Sequence, residues 1–509
     1  MTTSRTWAVA LTGIDGAIVE VEADQSNQTP DFRIIGLPDS ALREAASRVH
    51  NAAVNCGLPL SRRRITVNLS PASLPKQGSG FDVAIAVAAL ATDGGMDAAS
   101  LARTVHLGEL GLDGRLRPVP GVLPAVLAAA RAGFSRVVVP HGNAGEAALV
   151  EGVQVVGATS LADVARCHGA DAPVLELDPV ARASAPDVAV QPLELADVIG
   201  QPEAVEALIT AAAGGHHLLM SGPPGAGKTM LASRLPGILP ELADQAAIEV
   251  ASIRSLAGEP VDSLARRPPF QAPHHSASVA ALVGGGSRLV RPGAIARATH
   301  GVLFLDEAGE FPGHVLDALR QPLETGVIVI HRAGFTASFP ARFQLVLATN
   351  PCPCGNYGVR GALCECPPMA IRRYLARLSG PLLDRVDIEL RLTRVSVAHA
   401  THGSAERVST HSARARVVEA RDRAAHRLRD TPWRVNAQVS GPWLRQGPLA
   451  LAPIVRRPLD TALHRGALTL RGYDRTLRLA WSIADLAGRD SPTVHDIGRA
   501  LFLKKGITP

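Results

Sequence analysis

The stretch Ser221-Gly-Pro-Pro-Gly-Ala-Gly-Lys-Thr229 constrains this chain more than any other segment. It satisfies the pattern G-x-x-x-x-G-K-[ST], with Gly222, Gly227, Lys228 and Thr229 in the required places. His217-Leu-Leu-Met220 before it reads as a short buried strand, and Met230-Leu-Ala-Ser-Arg234 after it opens a helix. Between them Gly222, Pro223, Pro224, Gly225, Ala226 and Gly227 make a loop whose backbone N–H groups turn inward around phosphate oxygens. The helix N-terminus adds partial positive charge. In this pattern Lys228 reaches the β- and γ-phosphates of ATP, and the Thr229 hydroxyl holds Mg²⁺. A glycine- and proline-rich turn can match by chance, but cation usage argues against that here. Only four lysines, Lys76, Lys228, Lys504 and Lys505, stand among 52 lysines and arginines. A lysine kept at this place points to a need for a compact ammonium where a planar guanidinium does not fit.

At 509 residues the chain is long enough for roughly three domains, each with its own core. Residues 1–170 alternate strand and helix patterns. Ala17-Ile-Val-Glu-Val-Glu22 and Arg64-Ile-Thr-Val-Asn68 alternate as strands do, while Ser40–Val49 and Leu123–Arg131 carry helical spacing. Leu112-Asp-Gly-Arg115 reads as a hairpin turn. The proline-, alanine- and aspartate-rich residues 171–191 read as a linker. Residues 192–393 alternate strands and helices around the phosphate loop, as in a three-layer α/β domain with a parallel sheet. Residues 394–509 are mainly helical with arginine-rich faces.

Further strand ends supply the chemistry a phosphate loop requires. Val302-Leu-Phe-Leu-Asp-Glu307 is a buried strand ending in two carboxylates. Asp306 completes the Mg²⁺ shell, while Glu307 orients and activates the attacking water. Gln344-Leu-Val-Leu-Ala-Thr-Asn350 ends in Asn350, which positions that water or reads the γ-phosphate, unless it is only a strand-end turn residue. Gly380-Pro-Leu-Leu-Asp-Arg-Val-Asp387 offers Arg385. Supplied to a neighbouring subunit, this arginine stabilises charge on the γ-phosphate; paired locally with Asp384 or Asp387, it does not.

These parts in this order resemble an AAA+ ATPase, and more narrowly the magnesium-chelatase-like ComM/YifB family. The marks are Ala272-Pro-His-His-Ser-Ala-Ser278, Val283-Gly-Gly-Gly286, Arg291-Pro-Gly293, Gly301–Glu307, Pro340-Ala-Arg-Phe-Gln344, Asn350-Pro-Cys-Pro-Cys-Gly355, Ile371-Arg-Arg-Tyr374 and Ser379–Arg385. The likeness runs from Gly13-Ile-Asp15 and Ile35-Gly-Leu-Pro-Asp39 to Ser482–Gly488. It implies an α/β fold: a three-layer AAA+ P-loop core with a helical lid, preceded by an α+β domain resembling the C-terminal domain of Lon protease. It further implies that the nucleotide lies between core and lid, that Arg478 senses it from the lid, and that Val198 and Ile199 line the adenine pocket. A homo-hexameric ring follows from the same resemblance, because a head-to-tail interface closes into one. Val327-Ile-Val-Ile330 and Phe335-Thr-Ala-Ser-Phe339 flank His331-Arg-Ala-Gly334 and read as a β-hairpin. Similar ATPases place such hairpins in the ring pore on DNA, which makes Arg332 the leading phosphate contact, with His331 and Arg288 behind it. The Lon-like domain is expected to be non-proteolytic. The nucleophile position falls on Gly80, beside Ser79, and its lysine partner's position on Leu123.

Cys352, Cys354, Cys364 and Cys366 form C-x-C…C-x-C, which suits tetrahedral Zn²⁺ in a small knuckle over residues 352–366; reduced thiols without metal are the other reading. No uninterrupted apolar run approaches the roughly 20 residues of a membrane span, and the start shows no signal-peptide core, so a cytoplasmic protein is expected. Beyond residue 370 basic residues outnumber acidic ones by roughly two to one. That excess fits DNA, or equally a solvated arginine-rich helix face. The resulting expectation is an ATP- and Mg²⁺-dependent DNA helicase or branch-migration motor. The rival is a chelatase-type ATPase that remodels a partner protein.

Overall fold

The computed structural model describes residues 3–36, 40–76, 78–182, 193–286, 290–332, 335–359, 361–394 and 407–505. Arg288, the side chain of Arg332, Leu37–Asp39 and residues 183–191 of the expected linker lie outside the described residues.

Residues up to about 170 form a mixed seven-stranded sheet. The alternation at Ala17–Glu22 becomes the strand Asp15–Ser26, antiparallel to Thr3–Thr12 along its whole length. Its inward residues Val19, Val21 and Ala23 are fully buried. Arg64–Ser70 and Phe32–Ile35 extend the sheet on one side, and Thr104–His106, Arg136–Pro140 and Gln154–Ala158 extend it in parallel on the other. The helix Asp82–Ala91 is apolar on every side and lies in the core, with Asp82 through Leu90 all buried. The expected hairpin at Leu112–Arg115 joins the short pair Glu109–Leu110 and Leu116–Arg117.

The second sheet has five parallel strands in the spatial order Phe270–Gln271, Val302–Leu305, Gln344–Thr349, Leu218–Ser221, Ile388–Arg391. Val302–Leu305 and Gln344–Thr349 are buried at every position, as parallel strands covered on both faces require. All five run the same way, so the loops after Ser221, Leu305 and Thr349 emerge at one edge, where ligands of open α/β sheets bind.

The helices Thr410–Arg427, Pro453–His464, Leu470–Leu486 and Val494–Lys505 pack on this sheet rather than standing apart. Leu218, Met220, Phe304 and Ile388 share one continuous core with Leu477, Trp481, Ile497 and Leu501. The boundary expected at 393/394 therefore divides the chain but not the core. Several arginines of this region are spent on internal contacts. Arg427 grips Asp485 through two nitrogens at 2.6 and 2.7 Å, Arg416 grips Glu206 at 2.8 Å, and Arg421 donates to the Ala212 carbonyl at 2.7 Å.

The two sheets meet at several points. Gly13 bridges Ser338 on the second strand of the hairpin, and Gly121 N–H donates to Ser255 O at 3.1 Å. No helix among the described residues is long and apolar enough to cross a membrane.

Candidate nucleotide site

Lys228 opens the helix Lys228–Ile238 with only 8% of its surface exposed. The preceding loop demands glycine at three points. Gly225 and Gly227 adopt φ of +77° and +82°, and a side chain on Gly222 would run into the Leu392 carbonyl. The Lys228 ammonium donates to the carbonyls of Gly222 at 2.6 Å and Pro223 at 3.0 Å, and to Asn350 Oδ1 at 3.0 Å. Burial lowers its pKa below the usual lysine range, against the opposing fields of Asp306 and Glu307. Thr229 Oγ1 donates to Asp306 Oδ2 at 2.7 Å, so the loop and the carboxylate strand close on each other. A hydroxyl and a carboxylate meeting there are hard oxygen donors, and their chemistry fits Mg²⁺.

Glu307 has φ of +51°, a conformation that residues other than glycine rarely take and that concentrates at functional sites. Its N–H donates to Asp306 Oδ1 at 2.9 Å, and its Oε2 lies 3.2 Å from His275 Nδ1. Behind the loop, Arg234 ties the segment before Val198 and Ile199 to the phosphate-loop helix, donating to Glu194 O at 2.6 Å and to Asp197 Oδ2 at 3.1 Å. Val198 packs in the same cluster as Ala226 and Leu231.

Two expected arginines lie elsewhere. Arg385, 11% exposed, donates to the Glu324 carboxylate and to the Pro381 carbonyl. Its local partner is thus neither Asp384 nor Asp387. Asp387 is already taken by Arg475 at 2.6 Å, and burial together with that cation and the adjacent histidines governs its charge. Arg478 donates from Nε to Val439 O at 2.7 Å. Its helix meets the sheet through His216–Ser482 at 2.8 Å and Arg475–Asp387, both at the strand beginnings, while the phosphate loop leaves the strand ends. Within one protomer Arg478 therefore stands on the strand-beginning side of the sheet, where the buried carboxylate of Asp387 holds its helix through Arg475.

The hairpin forms as Val327–Arg332 against Phe335–Pro340, with His331 exposed near its turn and facing Thr336 Oγ1 at 3.2 Å. In the first domain Ser79 Oγ donates to the Glu109 carboxylate, and Leu123 is 1% exposed in the core. Lys76 is committed to the Gly36, Leu69 and Pro71 carbonyls, so Ser79 has no lysine base there. The cysteines Cys352, Cys354, Cys364 and Cys366 bring their sulfurs within 4.8 Å of one another.

Three contacts escaped the sequence. His275 lies in a stretch marked by family resemblance, but no spacing rule ties it to Glu307. Gln201 Nε2 donates to Ala226 O at 2.8 Å, and Arg394 Nε to Pro224 O at 3.2 Å, each bracing the loop across a long separation in the chain.

Comparison with known proteins matches the same architecture. The family model described as magnesium chelatase, subunit ChlI, matches residues 194–400; subunit ChlI of Mg-chelatase matches 21–143; and magnesium chelatase, subunit ChlI C-terminal, matches 407–504. An uncharacterized protein of Mycobacterium tuberculosis is 48% identical over 513 residues, covering 99% of both chains. Competence protein ComM of Haemophilus influenzae is 41% identical over 494 residues, 97% of this chain and 95% of its own. The uncharacterized protein YifB of Escherichia coli is 38% identical over 497 residues, with the same coverage of 97% and 95%. A partial likeness to Lon protease of Mycolicibacterium smegmatis reaches 29% over 143 residues, 26% of this chain and 18% of that one. With such agreement over nearly its whole length, the chain belongs to the ComM/YifB family of magnesium-chelatase-like AAA+ proteins, a membership that supports ATPase activity.

Proposed function

We propose that this chain is an ATP- and Mg²⁺-dependent motor that closes into a hexameric ring, moves along DNA and drives the migration or unwinding of branched junctions. The observation that carries the proposal is the convergence of Lys228, Thr229, Asp306 and Asn350 at the ends of adjacent parallel strands. Lys228 exchanges its loop carbonyls for the β- and γ-phosphate oxygens of ATP. Thr229 and Asp306 hold Mg²⁺, which when bound supplies positive charge to the triphosphate. Glu307 aligns a water and accepts its proton as the water oxygen bonds to the γ-phosphorus and the bond to the β-phosphate oxygen breaks, leaving ADP and phosphate. Asn350 holds the Lys228 ammonium and the γ-phosphate in register. Arg385, released from Glu324, acts on the site of the neighbouring subunit.

DNA as the substrate is supported by the hairpin that carries Arg332 and exposes His331 near its turn, and by the Haemophilus relative's being a competence protein. The arginines of the C-terminal helices lend less support, since many are spent on internal pairs. The decisive experiment is ATP-driven displacement of labelled strands from a branched junction, beside a simple duplex and the Lys228→Ala protein. Displacement by the wild type alone supports the motor on DNA. ATP turnover that ignores every DNA, with no displacement, transfers the motor to a partner protein.

A further inference from the structure

We propose that Cys352, Cys354, Cys364 and Cys366 bind one Zn²⁺ as four thiolates, and that this metal-held knuckle braces the phosphate loop and so sets nucleotide affinity. The metal site stands on its own geometry; the coupling rests on the nucleotide reading above. Tetrahedral zinc with Zn–S bonds of about 2.3 Å places its sulfurs about 3.8 Å apart. The Cys352–Cys364, Cys354–Cys364 and Cys352–Cys354 sulfurs are separated by 3.8, 3.7 and 3.4 Å. A disulfide holds its sulfurs at about 2.05 Å, so these are free thiols gathered at the edge length of a zinc tetrahedron. The surroundings are also those of a ligand set. Cys352 is buried, and its Sγ accepts the Tyr357 N–H at 3.3 Å. Gly355 N–H donates back to Cys352 O at 3.0 Å, and Asn356 Nδ2 closes the loop on Leu363 O at 3.1 Å. Such outer contacts orient thiolates toward a metal.

The knuckle touches the site at two points. Cys352 follows two residues after Asn350, the acceptor of the Lys228 ammonium. Gly355, with φ of +80°, lies so close to the Pro224 ring that any side chain there would collide with the phosphate loop. Metal therefore holds Asn350 and Pro224 together, whereas four unbridged thiols do not. Coupling of this kind is reciprocal, so bound nucleotide must tighten zinc in turn.

The test is elemental analysis of the full-length protein purified without added metal or chelator, joined to titration with a fluorescent ATP analogue in Mg²⁺. The expected results are about one zinc per chain, loss of zinc in Cys364→Ser and Cys366→Ser, and about tenfold weaker nucleotide binding in those variants. Where a variant fails to fold, stripping zinc from the wild type with a chelator and restoring it must lower and recover affinity, and Mg-ATP must slow the stripping. Wild-type protein free of zinc, or carrying iron instead, overturns the metal site. Zinc present with affinity unchanged on its removal overturns the bracing. Zinc retained by a wild type that binds no nucleotide leaves the metal site standing, and it is the nucleotide reading that fails.

Discussion

Lys76 in the first domain and Lys228 in the second are the same solution to one problem, used for opposite ends. Each is buried in a glycine-rich loop, at 1% and 8% exposure, and each donates to backbone carbonyls. Burial lowers the pKa of both. They differ in what surrounds the ammonium. Lys76 sits on the carbonyls of Gly36, Leu69 and Pro71, three points of fixed backbone that it staples together. Lys228 sits beside Asp306, Glu307 and the side-chain amide of Asn350, at an open strand end, on carbonyls of its own loop. One lysine has partners that cannot be exchanged; the other has partners that a phosphate can displace. A buried lysine is thus not by itself a mark of catalysis. What decides is whether something else can take over its hydrogen bonds.

The largest effect that could break this comparison is at Lys228. Lys228→Ala should lower ATP turnover by at least about 100-fold while the melting temperature shifts little; substantial turnover in that protein removes the proposed site. Glu307→Gln comes next. It should keep ATP bound and slow hydrolysis by about 100-fold, measured as single-turnover phosphate release. Unchanged hydrolysis would pass the water-activating role to another group. Arg385→Ala should reduce turnover by about tenfold or more, and mixing it with Lys228→Ala subunits should restore part of the activity. Glu324→Ala, which frees the same arginine, should not reduce turnover. An Arg385→Ala protein with normal turnover would leave the arginine as a local ion pair only.

Lys76→Met tests the other half. Removing its donors leaves buried carbonyls unpaired, at a cost of about 1–3 kcal/mol each where water cannot reach them. The melting temperature should fall by several degrees while turnover per folded molecule stays unchanged; the reverse pattern would make Lys76 functional. The smallest effect is one the two halves should share. Burial, aided by Arg136, holds His168 at a pKa of about 4; burial, opposed by Asp387, holds His217 at about 4. Each is neutral in the fold and more basic when unfolded, so its stabilisation is complete above pH 6.5 and is lost as pH falls toward 4. Thermal melts between these values should show a progressive loss in both halves. A flat profile would mean that neither ring is held neutral.

Much of the nucleotide site was legible because its parts are local. Gly225 and Gly227 announce left-handed backbone, and Val302–Leu305 ending in Asp306 and Glu307 announces a buried strand with acids at its exit. The docking of the C-terminal helices was not legible in the same way. The helical character of residues 410–505 is readable from spacing, but its docking depends on which carboxylate captures which arginine, and Asp387 lies 88 residues from Arg475. The charge excess was ambiguous for the same reason, since a count of arginines does not distinguish a DNA-facing guanidinium from one clamped on Asp485.

By itself, the amino-acid sequence determined the loop that can hold a triphosphate, the carboxylates that can serve it, and four thiols close enough in the chain to share a metal. These depend on backbone preference and short-range spacing, which survive without knowledge of the fold. Only the tertiary structure decided that His275 faces Glu307, that Glu324 holds Arg385, that Arg478 turns to Val439 at the far end of the sheet, and that the knuckle leans on Pro224. The physical reason is that a charged or polar side chain takes the best partner that packing brings within reach, and many such partners are distant in sequence.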